Sequence, residues 1–120
     1  MIFSLARGGS LVVGAESPAV VPWWSFTKTV LSVAALSLVR DGQVTLDESL
    51  WGEPFTLRQL LRHEAGLADY GELPDYHHAV ARHDTPWPEE DLLRRLDAGK
   101  LRYQPGAGWR YSNLGYLYVA

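Results

Sequence analysis

The chain has 120 residues, 47% of them apolar, and a formal net charge of −3. This is enough for one domain around one modest core, and the small charge, with no basic block, argues against nucleic-acid binding as the main role. There is no cysteine, which excludes disulfides, thiolate-bound zinc and iron–sulfur clusters.

No charged segment precedes an apolar run between Met1 and Ala15, so no signal peptide is legible there. Ile2 to Ala6 and Ser10 to Ala15 are short β-rich runs separated by Arg7-Gly8-Gly9, which predicts a hairpin. Ser17-Pro18 breaks the pattern, and Val20 to Trp24, with Pro22 inside it, predicts an extended approach. From Phe26 to Arg40 the pattern is helical and apolar nearly all round, which predicts a helix buried in the core. Its longest apolar stretch, Val30 to Val39, is far too short to span a bilayer, so no membrane span is expected. Gly42 is placed to stop this helix.

Thr56-Leu57-Arg58-Gln59 forms a capping box, with Phe55 and Leu60 spaced for a hydrophobic staple. The short helix it opens ends near His63, before Gly66. Leu67 to Thr85 reads as irregular, with a weak helix around Tyr76 to Arg82. Pro88 starts another helix, with Glu89, Glu90 and Asp91 in the first turn, Arg94 and Arg95 further on and Gly99 at its end. Pro105-Gly106-Ala107-Gly108 is a tight loop. The apolar segment after it, Leu114 to Ala120, reads as a helix start.

Two constellations carry chemistry. Ser25 stands at the mouth of the long helix, with Lys28 one turn on and on the same face. A serine hydroxyl is a poor nucleophile until a neighbouring base takes its proton, and the positive end of a helix favours an anionic intermediate. The second is Tyr111-Ser112-Asn113. A phenol beside an ammonium is drawn towards phenolate and can act as a base, and the amide of Asn113 offers a donor and an acceptor to a substrate. His77, His78 and His83 lie close in sequence, but none pairs at the i, i+4 spacing of a helical zinc site, so no metal is expected.

Four segments in order resemble the serine β-lactamase and penicillin-binding DD-peptidase superfamily, most nearly the branch of class C β-lactamases, D-alanyl-D-alanine carboxypeptidases and related esterases. They are Trp24-Ser25-Phe26-Thr27-Lys28-Thr29, Leu38 to Asp47, Thr56 to Leu67 and Pro105 to Tyr116. The resemblance implies an α+β, β-lactamase/transpeptidase-like fold, of which residues 1–120 would be the N-terminal part, with the first hairpin, the nucleophile helix and part of the helical region. It implies Ser25 as the acylated nucleophile, Lys28 and Tyr111 as a coupled pair handling its proton, Asn113 as a substrate-binding residue, and the backbone N–H of Ser25 as one oxyanion donor. His63 matches a structural position of the family. The implied reaction is acyl transfer on an amide, β-lactam or ester carbonyl of a small molecule or peptide, with no cofactor, in a family often periplasmic or secreted.

The pattern departs from the family at several points. The Lys/His-Thr/Ser-Gly triplet of a late edge strand is absent from this sequence, and with it the second oxyanion donor. Trp24 stands where the family more often has a small residue, which would narrow the cleft, and Glu64 where it usually has a small polar one. A non-catalytic remnant or binding module that keeps the cleft is therefore the competing expectation, and 120 residues standing alone are expected to be crippled in activity and to be poorly soluble or to dimerise, through an unpaired strand edge and an uncovered helix. Lactamase, peptidase and esterase share Ser25, Lys28 and Tyr111 and are not separable by these residues.

Overall fold

The structure, a computed structural model, describes residues 4–8, 10–14 and 23–120. Strands β1 (Ser4–Arg7) and β2 (Ser10–Gly14) pair antiparallel. Leu5 faces Val13 and Ala6 faces Leu11, so the register shifts by a bulge between them. Ile2, Phe3, Gly9, Ala15 and residues 17–22 lie outside the described residues; of the approach expected to be extended, Val20 to Trp24, the two described residues are not, since Trp23 is helical (φ −84°, ψ −10°) and Trp24 left-handed (φ 47°) as it opens a 3-10 turn. A 3-10 turn (Trp24–Phe26) then leads into α1 (Thr27–Arg40). Four short helices follow: α2 (Leu57–Leu61), α3 (Pro74–Ala81), α4 (Glu89–Leu96) and α5 (Asn113–Leu117).

Local chemistry sets most of these boundaries. Gly42 ends α1 in the left-handed region, φ 70°. The Gln43 N–H donates to Leu38 O at 2.9 Å and the Gly42 N–H to Val39 O at 3.0 Å, the two bonds of a Schellman cap. At α2 the Thr56 side chain accepts from the Gln59 N–H while the Thr56 N–H donates to Gln59 Oε1, which completes the capping box. Some expectations need correcting. The helix expected around Tyr76 to Arg82 is present as α3 and starts earlier, at Pro74, and the stretch before it is less irregular than expected, because Asp69 caps a 3-10 turn at Tyr70–Glu72. The end of α4 comes earlier than Gly99, because Asp97 takes the left-handed conformation, φ 49°. Short polar side chains enter that region more readily than most.

The core joins α2, α4, α5 and the segment between Ala65 and Ala68. Phe55, Leu60, Ala65, Leu67, Ala68, Leu96 and Leu114 are all buried in it. Each large side chain so buried contributes about 1.5–3 kcal/mol, and together they fix the start of α5 against residues 63–69.

α1 is not part of this core, contrary to its apolar composition. Ala35 is its one buried residue, while Val30, Val33, Leu36 and Leu38 are 42–60% exposed. Composition states which side chains gain from being covered, and among the described residues nothing covers them. Polar contacts along one face, at Ser25, Lys28 and Ser32, tie the start of α1 to the helical region.

Candidate active site

Ser25 lies in the 3-10 turn and Lys28 in the first turn of α1, while Tyr111 and Asn113 come from the opposite side, at the start of α5. The Ser25 hydroxyl and the Tyr111 hydroxyl are 2.9 Å apart. Lys28 Nζ donates to Asn113 Oδ1 at 2.6 Å and lies 5.1 Å from the centre of the Tyr111 ring. Tyr111 Oη is 3.5 Å from the same amide oxygen. Ser25 and Lys28 are thus joined through Tyr111 and Asn113 rather than by a bond of their own. One turn on, Ser32 Oγ meets Tyr116 Oη at 3.0 Å, and Tyr116 Oη donates to Leu61 O. All four residues singled out in the sequence converge on one place, across 85 or 86 residues of chain.

The electrostatics suit proton transfer. Partial burial is the largest single influence on the Tyr111 phenol and pushes its pKa up, but polar contact with Lys28 and Ser25 and the charge of Lys28 together outweigh it. The phenol is left below its usual value of 10. Tyr70, nearby, shows burial winning, pushed up to about 12 with help from Tyr76, Asp69 and Tyr111. A cation beside the phenol makes the difference between the two.

Further residues hold the site in shape, of which sequence reasoning passed over Asp69. Asp69 accepts from the Asn113 N–H at 2.6 Å and from Asn113 Nδ2 at 2.9 Å. The one signal for it was an Asp two residues before Gly71, whose N–H its other oxygen also accepts. His63, which matches a structural position of the family, lies against Tyr111 and Tyr116, with ring centres 4.6 and 5.3 Å away. Its Nδ1 accepts from the Ser112 N–H at 3.1 Å, which requires a neutral ring with its proton on Nε2. Ser112 is buried, caps α5 by accepting from the Gly115 N–H, and donates to Ala68 O. Glu64 pairs with Arg62 at 3.0 Å, away from these contacts. Trp24, placed to narrow a cleft, is 82% exposed and carries a left-handed backbone, φ 47°.

The neutral state of His63 has a measurable consequence. Burial, then the charge of Lys28, hold its pKa below 6.5, against the opposing pull of the Asp69 charge. The unfolded chain therefore takes up a proton at this residue before the folded one does. Stability is full above about pH 6.5 and falls as the pH drops from there through the lower folded pKa. Urea unfolding between pH 7.5 and 5 is expected to show that decline, and His63→Asn, which tolerates the left-handed backbone that His63 adopts at φ 59°, is expected to flatten it. An equal slope in both proteins would remove His63 from the account.

An apolar cavity of about 300 Å³ is lined by Tyr70, Tyr76, Val80, Trp87, Leu92 and Leu117, with Ser25, Lys28 and Tyr111 outside it. The candidate nucleophile is instead open to solvent. Among the described residues no group of three or more His, Asp or Glu is placed to hold a metal ion, and no helix is long and apolar enough to cross a membrane.

Ser25 and Tyr111, in hydrogen-bond contact, and Lys28 and Asn113, likewise in contact, thus stand together at a helix start. Residues 6–120 match the family described as Beta-lactamase, and the chain belongs to that family, within the serine β-lactamase and penicillin-binding superfamily. It is similar in structure to a D-stereospecific amidohydrolase from Streptomyces sp., at 29% identity and a TM-score of 0.63 over 79% of this chain and 34% of that one. It is similar also to D-amino acid amidase from Ochrobactrum anthropi SV3 in complex with L-phenylalanine amide, at 29% identity and a TM-score of 0.61 over 79% of this chain and 33% of that one. The chain thus spans about a third of the length of these solved structures. No curated protein matches it.

Proposed function

We infer that the chain carries the acylating part of a serine hydrolase that acts on an amide, β-lactam or ester carbonyl, as the N-terminal part of a β-lactamase-related domain. The observation that carries this reading is the 2.9 Å contact between Ser25 Oγ and Tyr111 Oη, with Lys28 alongside. In the proposed reaction the Tyr111 phenolate, stabilised by the Lys28 ammonium, takes the proton of Ser25 as Oγ bonds to the carbonyl carbon. The electron pair of the C=O moves to oxygen, and the Ser25 N–H faces that oxyanion as one donor. The carbonyl re-forms, the bond to the leaving nitrogen or oxygen breaks, and Tyr111 returns the proton to it. Water then attacks the ester on Ser25, giving its proton to Tyr111, and Ser25 leaves with that proton as the free acid departs. Asn113 orients the carbonyl side of the substrate. Similarity to amidases by name favours a small amide among the three carbonyl classes.

The test is labelling of the purified protein with a fluorophosphonate and with a penicillin, followed by peptide mapping. A single adduct on Ser25 is expected, and the probe that reacts begins to separate esterase- or amidase-type from penicillin-recognising chemistry. A folded protein with no adduct from either probe would overturn the reading in favour of a non-catalytic remnant that keeps the site geometry.

A further inference from the structure

The amide of Asn113 faces two groups that leave it no choice of orientation. Lys28 Nζ has only protons to give, so the side chain at 2.6 Å from it must be Oδ1. The Asp69 carboxylate can only accept, so the atom at 2.9 Å from its Oδ1 must be Nδ2. Asp69 also accepts the Asn113 backbone N–H at 2.6 Å, and its second oxygen accepts the Gly71 N–H at 3.1 Å. One carboxylate therefore holds both ends of the asparagine, main chain and side chain, and is itself held by a turn. Asp69 and Asn113 are half-buried, where a charge-assisted hydrogen bond is stronger than in open water.

We propose that Asp69 is a positioning residue that locks the Asn113 amide with Oδ1 towards Lys28, and thereby keeps the lysine cation beside Tyr111. If the amide turned over, Nδ2 would meet Nζ, two donors face to face, and Lys28 would lose the acceptor that holds it near the phenol. The lock also commits one of the two Nδ2 protons to the protein, so a single N–H remains to meet a substrate. The importance of this lock for catalysis rests on the acylating reading given above, whereas the lock itself does not.

Asn113 is the only asparagine in the chain, so protein labelled with 15N at asparagine gives one side-chain NH2 pair. One proton of that pair is expected to exchange with solvent about tenfold more slowly than the other, and the difference is expected to vanish in Asp69→Ala. Equal exchange of the two protons in the unaltered protein would overturn the lock without any variant having to fold. For the chemistry the variant is Asp69→Asn, whose one side-chain oxygen can accept from Gly71 or from Asn113 but not from both, so that its amide no longer dictates which way Asn113 points. Its fluorophosphonate labelling rate at Ser25 is expected to fall about tenfold to a hundredfold, with the rise of rate with pH moved to higher pH and the melting temperature little changed. An unaltered rate and pH profile in that folded variant would overturn the positioning role. Should the unaltered protein take no label at Ser25, the acylating reading fails, and the exchange measurement still decides the lock.

Discussion

Lys28→Ala and Tyr111→Phe are each expected to slow acylation of Ser25 by about 10²–10⁴-fold, the range for losing a positioned general base. The two losses are not expected to multiply. Lys28 contributes by making the Tyr111 phenolate attainable, so once the phenol is gone the cation has little left to stabilise, and the double variant should be no slower than the worse single one by more than about tenfold. The pH dependence separates the roles. In the unaltered protein the rate should rise with pH and level off through a pKa below 10, since the Lys28 and Ser25 contacts outweigh the effect of burial on Tyr111. In Lys28→Ala burial remains and its main opponent is gone, so the rise should move to higher pH. In Tyr111→Phe no such rise should remain. The measurement is the rate of fluorophosphonate labelling at Ser25 from pH 6 to 11. Multiplying losses, or a Lys28→Ala profile with its limb in place, would mean that the two residues act separately.

The same geometry shows what the sequence could and could not disclose. Ser25, Lys28, Tyr111 and Asn113 were legible because each carries a side chain whose chemistry is specific and whose spacing is local, and the fold had only to bring two short motifs together. Asp69 was not legible, because its role depends on a partner 44 residues away and a lone aspartate in a turn has an ordinary local explanation. His63 was noticed by position, but its neutral ring and its grip on Ser112 are facts of packing. The capping box at Thr56 and the glycine stop at Gly42 follow from backbone bonds within a few residues, and both are found where local rules put them. The α1 helix is the opposite case. Val30, Val33, Leu36 and Leu38 announce a need for cover, and periodicity carries no information on where that cover comes from. The end of α4 departs from local expectation for a smaller reason of the same kind, since Gly99 is the better left-handed residue in isolation but Asp97 is the one that takes that conformation.

Gly66→Ala is expected to destabilise the protein by about 2–4 kcal/mol, through backbone strain and overpacking together, and to do so at the base of the candidate site. Gly66 is buried with φ +77°, and a Cβ there would lie 2.2 Å from the carbonyl oxygen of Tyr103. That oxygen is backbone and has no rotamer by which to move away. The contact belongs to a clamp in which the loop from Arg102 to Arg110 grips the segment from His63 to Gly66. The Arg102 N–H donates to Gly66 O, the Gly106 N–H to Glu64 O and the Arg110 N–H to His63 O, at 2.7, 2.8 and 3.0 Å. His63 holds Ser112, Ala68 accepts from Ser112, and Asp69 holds Asn113. Loosening the clamp therefore frees the strip that sets Tyr111 against Ser25, although Gly66 touches none of the reacting groups. Thermal melting should fall by roughly 10 °C, and the Ser25 labelling rate at a temperature where the variant is still folded should fall with it. A variant with unchanged melting would show that Tyr103 gives way at no cost. One that melts early but labels at the full rate would show that the clamp serves the core and leaves the site to Asp69 and His63.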